Sequence, residues 1–257
     1  MRIVRYSDGT VRHGILADDG GIQPVLGGLF DGLSPHGAPT HVDEVRLLAP
    51  LDPRSIYGVG LNYVQHAREV NKPLPSVPLL FMKPAGAAIG PQTPIVLPLE
   101  GGIVHFEAEV AVVIGRMARR VSEADAPDHI LGYTCGNDVS ERVIQGKEMD
   151  QGALLIGKAY DTFNPIGPAI VTGLDPDNIG IMARVNGEVR QNSNTDDLVF
   201  SIPKLVSYLS QAITLYPGDV IMSGTPQGVG PIEPGDVVEI EIPEAGILRN
   251  PVVAEGA

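Results

Sequence analysis

Apolar and polar residues alternate through the first 25 positions, around two turn signals, Asp8-Gly9 and Asp19-Gly20-Gly21. A period of two with Asp-Gly steps predicts a β-meander whose turns are type I′. A Gly/Pro/His-rich stretch follows over residues 27–40, and then LLAPLDPRS, where Pro50 and Pro53 rule out a continuous helix. This pattern predicts a small N-terminal β domain over 1–50 and a main domain over 51–257.

The main domain opens with SIYGVGLNY, an apolar strand ending in glycines, and VQHAREV has the pattern of a short helix. LLFMKP and PIVLP read as extended segments. EVAVVIG is too continuously apolar for a half-exposed strand, which predicts burial on both faces. Ser122 and Asp125 form a variant capping box that predicts a helix over SEADAPDHIL. A further helix follows Ser201, with Pro203 in its first turn and Leu205, Val206, Leu209 and Ile213 on one apolar face. DVIMSG and DVVEIEI alternate again. The fold class expected is α+β and β-rich.

Composition sharpens this picture. The 31 glycines and 23 prolines, spread along 257 residues without a tryptophan, favour many short strands and tight turns. A formal charge of −13 repels phosphate backbones and anionic lipid, arguing against nucleic-acid and membrane partners. An anionic substrate then needs a local cluster of cations, or a metal. The single cysteine, Cys135, excludes an internal disulfide and suits a reducing compartment; its apolar surroundings predict a buried thiol. No apolar run approaches the ~20 residues of a membrane span, and MRIVRYSDGT turns polar too early for a secretory signal. A cytoplasmic location is expected.

The sharpest chemical feature is HFEAEVAVVIG. In an uninterrupted strand His105, Glu107 and Glu109 share one face, the two carboxylates ~6–7 Å apart along the backbone. A solvated strand face would present the same pattern. Near an interior, however, like charges must be protonated or bridged by a cation. Asp138, at a turn after LGYTCGN, supplies a third oxygen, although a lone aspartate there could equally be a turn residue. Three carboxylates suit a hard ion, Mg2+ or Mn2+. His66 and Glu69, spaced i, i+3, form either a surface pair or a general base oriented by a carboxylate. Lys83 in FMKP and Lys158 in IGKAYD are candidates for a substrate carboxylate or ordinary surface lysines. SGTPQGVG packs glycines around Thr225, where N–H groups and a hydroxyl can meet an anion. The sequence holds no Gly-x-Ser-x-Gly elbow, complete dinucleotide fingerprint, P-loop, His-Glu-x-x-His or CxxC string.

Taken in order, GVGLNYVQHAREV, FMKP, HFEAEVAVVIGR, GYTCGNDVSER, GKAYDTFNPIGP, VNGEVRQ, SYLSQAITLYPGDVI, SGTPQGVG and LRNPVV resemble the fumarylacetoacetate hydrolase family from about Ile56 onward. The resemblance implies a mixed β-roll, a homodimer and a magnesium-type ion. It implies metal ligation by Glu107, Glu109 and Asp138, and catalysis by a His66–Glu69 pair on a lid helix together with Lys158. It also implies substrate contacts from Arg142, Gln145, Lys158 and Thr225, while Lys83 remains a substrate-binding candidate on its own sequence context. Where the family commonly reads Ser-Ala-Arg-Asp this chain has Ser140-Glu141-Arg142-Val143, so Glu141 and Val143 are the positions expected to bear on substrate choice. A tryptophan often found shortly before the site lysine is missing. The leading reaction implied is metal-assisted hydrolysis of a carbon–carbon bond in an acylpyruvate or similar 1,3-dioxo acid, through a stabilised enolate. Isomerisation of 2-hydroxyhepta-2,4-diene-1,7-dioate or decarboxylation of an oxaloacetate-type 2-oxo acid would use the same groups. A non-catalytic protein binding oxo acid and metal is a further alternative, one that has no need of a base.

Overall fold

The most apolar segment becomes the centre of the molecule. In the computed structural model, which describes residues 1–99 and 102–256, all seven residues of the strand Ala108–Ile114 are buried. Val110, Val112 and Ile114 pack into one core cluster and Ala111 and Val113 into another. That two-sided burial is why this strand lacks polar alternation. It pairs antiparallel with Ile130–Asn137 on one side and Val220–Met222 on the other. Outward from these, the sheet continues through Asn164–Val171 to Arg2–Ser7 in one direction, and through Ile56–Gly60 to Leu79–Lys83 in the other.

A second sheet of five strands has the order Ile95–Leu97, Gly246–Ala254, Val237–Ile242, Gly180–Val185, Glu188–Asn194. Ile181, Ile240 and Leu248 of this sheet share the larger core cluster with Val110, Val112 and Cys135. Cys135 is fully buried, and burial pushes its thiol up to about 12. Helix α3 (Ile202–Ala212) closes the same core with Ile202, Leu205, Val206 and Leu209. Ser201 accepts its cap bond from the Lys204 N–H, as expected. Ile213 departs from expectation. It lies past the helix end and is 38% exposed. The fold is mostly β, as anticipated, and forms no closed barrel among the described residues.

Three local expectations need correction. The N-terminal strands Arg2–Ser7, Val11–Leu16 and Gly21–Leu26 form the expected meander, but its turns are not type I′. That turn requires two consecutive residues at positive φ, and here only Gly9 (φ 106°) and Gly20 (φ 87°) adopt it. Asp8 and Asp19 instead accept N–H bonds from Thr10 and Gly21, two residues on, closing side-chain-mediated turns. Between Ser122 and Leu131 only a short 3-10 turn forms, Ala126–His129. Ser122 does bond Asp125, but Pro127 has no N–H to extend an α-helical ladder. The third correction, a break in the strand holding Glu107, creates the site.

Candidate active site

The strand expected to run unbroken through His105–Ile114 is interrupted at Glu107. Val104–Phe106 belongs to a small sheet with Ser140–Glu141 and Gly230–Pro231, while Ala108–Ile114 belongs to the main sheet. Glu107 is the crossing point, and neighbouring groups hold its backbone. Its N–H donates to Asn137 Oδ1 at 2.9 Å, and its carbonyl accepts from the Asp138 N–H at 2.9 Å. The crossing turns Glu107 inward, so that Glu107, Glu109 and Asp138 bring carboxylate oxygens within 4.8 Å of one another. All three residues are at most 5% exposed. His105 does not join them, since the break separates its strand from that of Glu109. Burial, reinforced by Arg142, lowers the His105 imidazole to about 4, so that it is neutral near pH 7.

Three cations face these three acids. Lys158 Nζ bridges Glu107 Oε2 at 2.7 Å and Asp138 Oδ2 at 2.6 Å. Arg142 reaches Glu107 Oε1 at 2.5 Å, and Lys83 reaches Asp138 Oδ1 at 2.5 Å. Glu109 has no ion-pair partner among the described residues and accepts the Gly224 N–H at 2.8 Å. Burial, followed by the charges of Asp138 and Glu107, pushes its carboxyl well above the usual range. Burial would raise Glu107 too, but Arg142 and Lys158 outweigh it and hold that carboxyl well below the usual range. Burial opposes the charge on Lys158 as well, yet Asp138 and Glu107 prevail and raise it. Lys83, by contrast, is lowered by burial despite its contact with Asp138.

The donor set fits a hard divalent cation. Glu109 is a buried carboxylate lacking a counter-charge, adjacent to two others, and oxygen-only ligands are what Mg2+ and Mn2+ prefer. The formal charges of three carboxylates and three cations cancel, so a bound divalent ion would leave the site two positive. That local excess suits a dianionic ligand despite the acidic surface.

The surrounding elements fix the other groups. Helix α1 (Val64–Glu69) carries His66, whose Nδ1 lies 2.9 Å from Glu69 Oε2. The carboxylate assigns the proton to Nδ1 and leaves Nε2 as the basic nitrogen. Glu69 Oε1 accepts the Gly228 N–H at 2.9 Å, and Asp197 accepts the Gln65 N–H at the start of the helix. Helix α2 (Arg142–Asp150) begins with Arg142, which donates to Gln145 Oε1 one turn on. Lys158 follows a loop held by Glu148, which accepts the N–H groups of Leu155, Ile156 and Gly157. Its ammonium also sits 5.1 Å from the centre of the Phe81 ring.

A cavity of about 490 Å³ brings together His66, Glu107, Glu109, Asp138, Arg142, Gln145, Lys158 and Thr225. Two sets of residues lie apart from the cavity. Lys83 does not line the cavity; it is 2% exposed and lies behind Asp138, its ammonium also donating to the Val139 carbonyl. Glu141 and Val143 do not line it either. Glu141 caps α2, accepting from the Val143 and Ile144 N–H groups, and Val143 is 43% exposed. Sequence reasoning missed Glu148 and gave no role to Asn137 or Gln191, although GYTCGND and VNGEVRQ contain them; all three hold the site residues through backbone bonds. SGTPQGVG was read as a loop whose N–H groups meet an anion, and the anion that the Gly224 N–H meets is Glu109 of the protein itself. No helix among the described residues is long and apolar enough to cross a membrane.

Comparisons with known proteins give the family and the fold. Residues 55–253 match the family described as fumarylacetoacetate (FAA) hydrolase C-terminal, and residues 1–50 match an Rv2993c-like N-terminal family. A mitochondrial oxaloacetate tautomerase, fahd2 of Xenopus laevis, is 46% identical over 221 residues, covering 82% of this chain and 69% of the relative. The crystal structure of a 5-carboxymethyl-2-hydroxymuconate delta-isomerase from Mycobacterium smegmatis superposes with a TM-score of 0.92 at 43% identity, covering 99% of this chain and 100% of that one. A 2-hydroxyhepta-2,4-diene-1,7-dioate isomerase from Mycobacterium marinum gives 0.90 at 40% identity, with both chains covered in full.

Proposed function

The chain belongs to the fumarylacetoacetate hydrolase family of enzymes, and from that premise we propose that it is a metal-assisted isomerase. Its substrate would be a small dianionic 2-oxo acid or the corresponding enol or dienol, and its reaction a proton transfer between carbon and oxygen or between carbons. The observation that carries this reading is one cavity holding both an oriented base, His66 on Glu69, and a cationic cluster around Glu107, Glu109 and Asp138.

A divalent ion held by Glu107, Glu109 and Asp138 would supply Lewis acidity toward the oxygens of the 2-oxo acid. Arg142, held by Gln145, and the Thr225 hydroxyl bind the substrate carboxylate. Nε2 of His66 takes the proton from the carbon next to the carbonyl; that C–H bond breaks, its electron pair forms a carbon–carbon double bond, and the π pair of the carbonyl moves onto its oxygen. Lys158 stabilises the negative charge as it develops there. Glu69 stabilises the imidazolium, which then returns the proton to oxygen or to a different carbon. No atom is gained or lost, so the reaction runs in either direction. The relatives named as a tautomerase and as isomerases support this reading over carbon–carbon hydrolysis, which would employ the same base to activate water.

The test follows the ultraviolet absorbance of enol-oxaloacetate and of 2-hydroxyhepta-2,4-diene-1,7-dioate, alongside cleavage of acetylpyruvate, with Mg2+ and then with EDTA. Accelerated interconversion that needs Mg2+ and drops roughly 10²–10⁴-fold in His66→Ala is expected. Faster acetylpyruvate cleavage than either interconversion would establish hydrolysis instead. Full activity in EDTA would refute the role of the metal.

A further inference from the structure

Gln191 is a buried polar residue on a strand that otherwise faces largely outward. Of the seven residues in Glu188–Asn194 it alone is buried, at 1% exposure. Its side chain crosses from the second sheet to the site. Oε1 accepts the N–H of Ala108, between the two metal-site glutamates, at 2.9 Å. Nε2 donates to Thr225 Oγ1 at 2.9 Å and to the Pro226 carbonyl at 2.7 Å. A backbone N–H can only donate and a carbonyl can only accept, so the amide has one orientation. With a Gln191 N–H occupying a lone pair of Thr225 Oγ1, the hydroxyl hydrogen must point elsewhere. No acceptor takes it among the described residues, and Thr225 lines the cavity.

The loop carrying Thr225 is itself pinned. Gly224 N–H holds Glu109, and Gly228 N–H holds Glu69. At Gly228 a Cβ would lie 2.0 Å from the Arg190 carbonyl oxygen, so the loop sits directly on the Gln191 strand.

We propose that Gln191 is a positioning residue that aims the Thr225 hydroxyl hydrogen at the substrate carboxylate and ties that donor to the backbone between Glu107 and Glu109. The proposal rests on the functional reading above, since it requires an anion in the cavity. Gln191→Glu retains an acceptor for Ala108 but gives up donors on the Thr225 side, letting the hydroxyl turn back toward residue 191. Gln191→Met removes the donors without introducing a buried acid, and serves if the first variant does not fold.

The experiment is calorimetric titration of oxalate into Mn2+-loaded protein, combined with a double-mutant cycle through Thr225→Val. In the wild-type background either Gln191 variant should weaken oxalate about tenfold, the scale of one hydrogen bond to a charged group. In the Thr225→Val background the same substitution should change affinity less than about twofold, because its route is gone. Mn2+ affinity should stay within about twofold for Gln191→Glu. An equal loss in both backgrounds, or oxalate and Mn2+ affinities falling together, would overturn the proposal. Failure of the wild-type protein to bind oxalate would overturn the functional reading and this proposal together. Oxalate binding without coupling between Gln191 and Thr225 would remove this proposal alone.

Discussion

Replacing Lys158 with methionine isolates the electrostatic design of the site. Lys158 lies between Glu107 and Asp138 at 2.7 and 2.6 Å, with its side chain 4% exposed. Removing one partner from a buried ion pair typically destabilises by about 3–5 kcal/mol. Here Glu107 keeps Arg142 and Asp138 keeps Lys83, so the lower end, about 3 kcal/mol, applies to the metal-free protein. Methionine preserves most of the packing over Phe81, which keeps cavity effects small. At about 2–4 °C per kcal/mol for a chain of this size, Lys158→Met should melt roughly 6–12 °C lower in EDTA. A divalent ion replaces the missing positive charge, so Mg2+ should raise the melting temperature of the variant more than that of wild type. At a hundredfold excess over its dissociation constant it should return about 2.7 kcal/mol. Thermal unfolding followed by circular dichroism, with EDTA and with Mg2+, measures both effects. A metal-free loss below about 1 kcal/mol, or equal Mg2+ shifts in the two proteins, would refute the charge argument.

Two further outcomes follow from named contacts. Glu109 has its carboxyl raised by burial, so in metal-free protein the unfolded chain ionises first as pH rises above the ordinary value of 4.5. The folded state then holds the extra proton, and stability is lost with rising pH. Denaturant titrations of metal-free Glu109→Gln should show an advantage over wild type that widens between pH 5 and 8, while Mn2+ binding weakens; a constant difference would contradict the assignment. Glu141→Ala removes the cap of α2, which normally contributes about 1–2 kcal/mol. Its urea midpoint should fall accordingly, with Mn2+ affinity kept within about threefold; loss of Mn2+ binding at full stability would place Glu141 in the site.

Much was legible from local pattern. The unbroken apolar run of EVAVVIG foretold the doubly buried central strand, because burial on both faces removes any reason for polar alternation. Ser201, Pro203 and the spacing of Leu205, Val206 and Leu209 foretold α3, and His66 with Glu69 foretold one face of α1, since such signals act within a turn or two. The ordered motifs supplied the family, and with it the carboxylate triad.

Other features depended on partners distant in the chain. Glu107 meets Glu109 and Asp138 because the strand breaks there, and the break is held by Asn137 and Gln191, 30 and 83 residues away from the groups they bond. Lys83 and Lys158 looked equivalent in sequence. Tertiary packing put one behind Asp138 and the other in the cavity, a difference no local string encodes. Glu141 looked like a pocket residue and proved to be a helix cap, while Ile213 lost its face because the helix ended one residue short of it. Propensity and periodicity are short-range energies and set the elements and most of the chemistry on offer. Which charges meet, and which of them face the cavity, was decided by sheet crossings and loop contacts that exist only once the chain has folded.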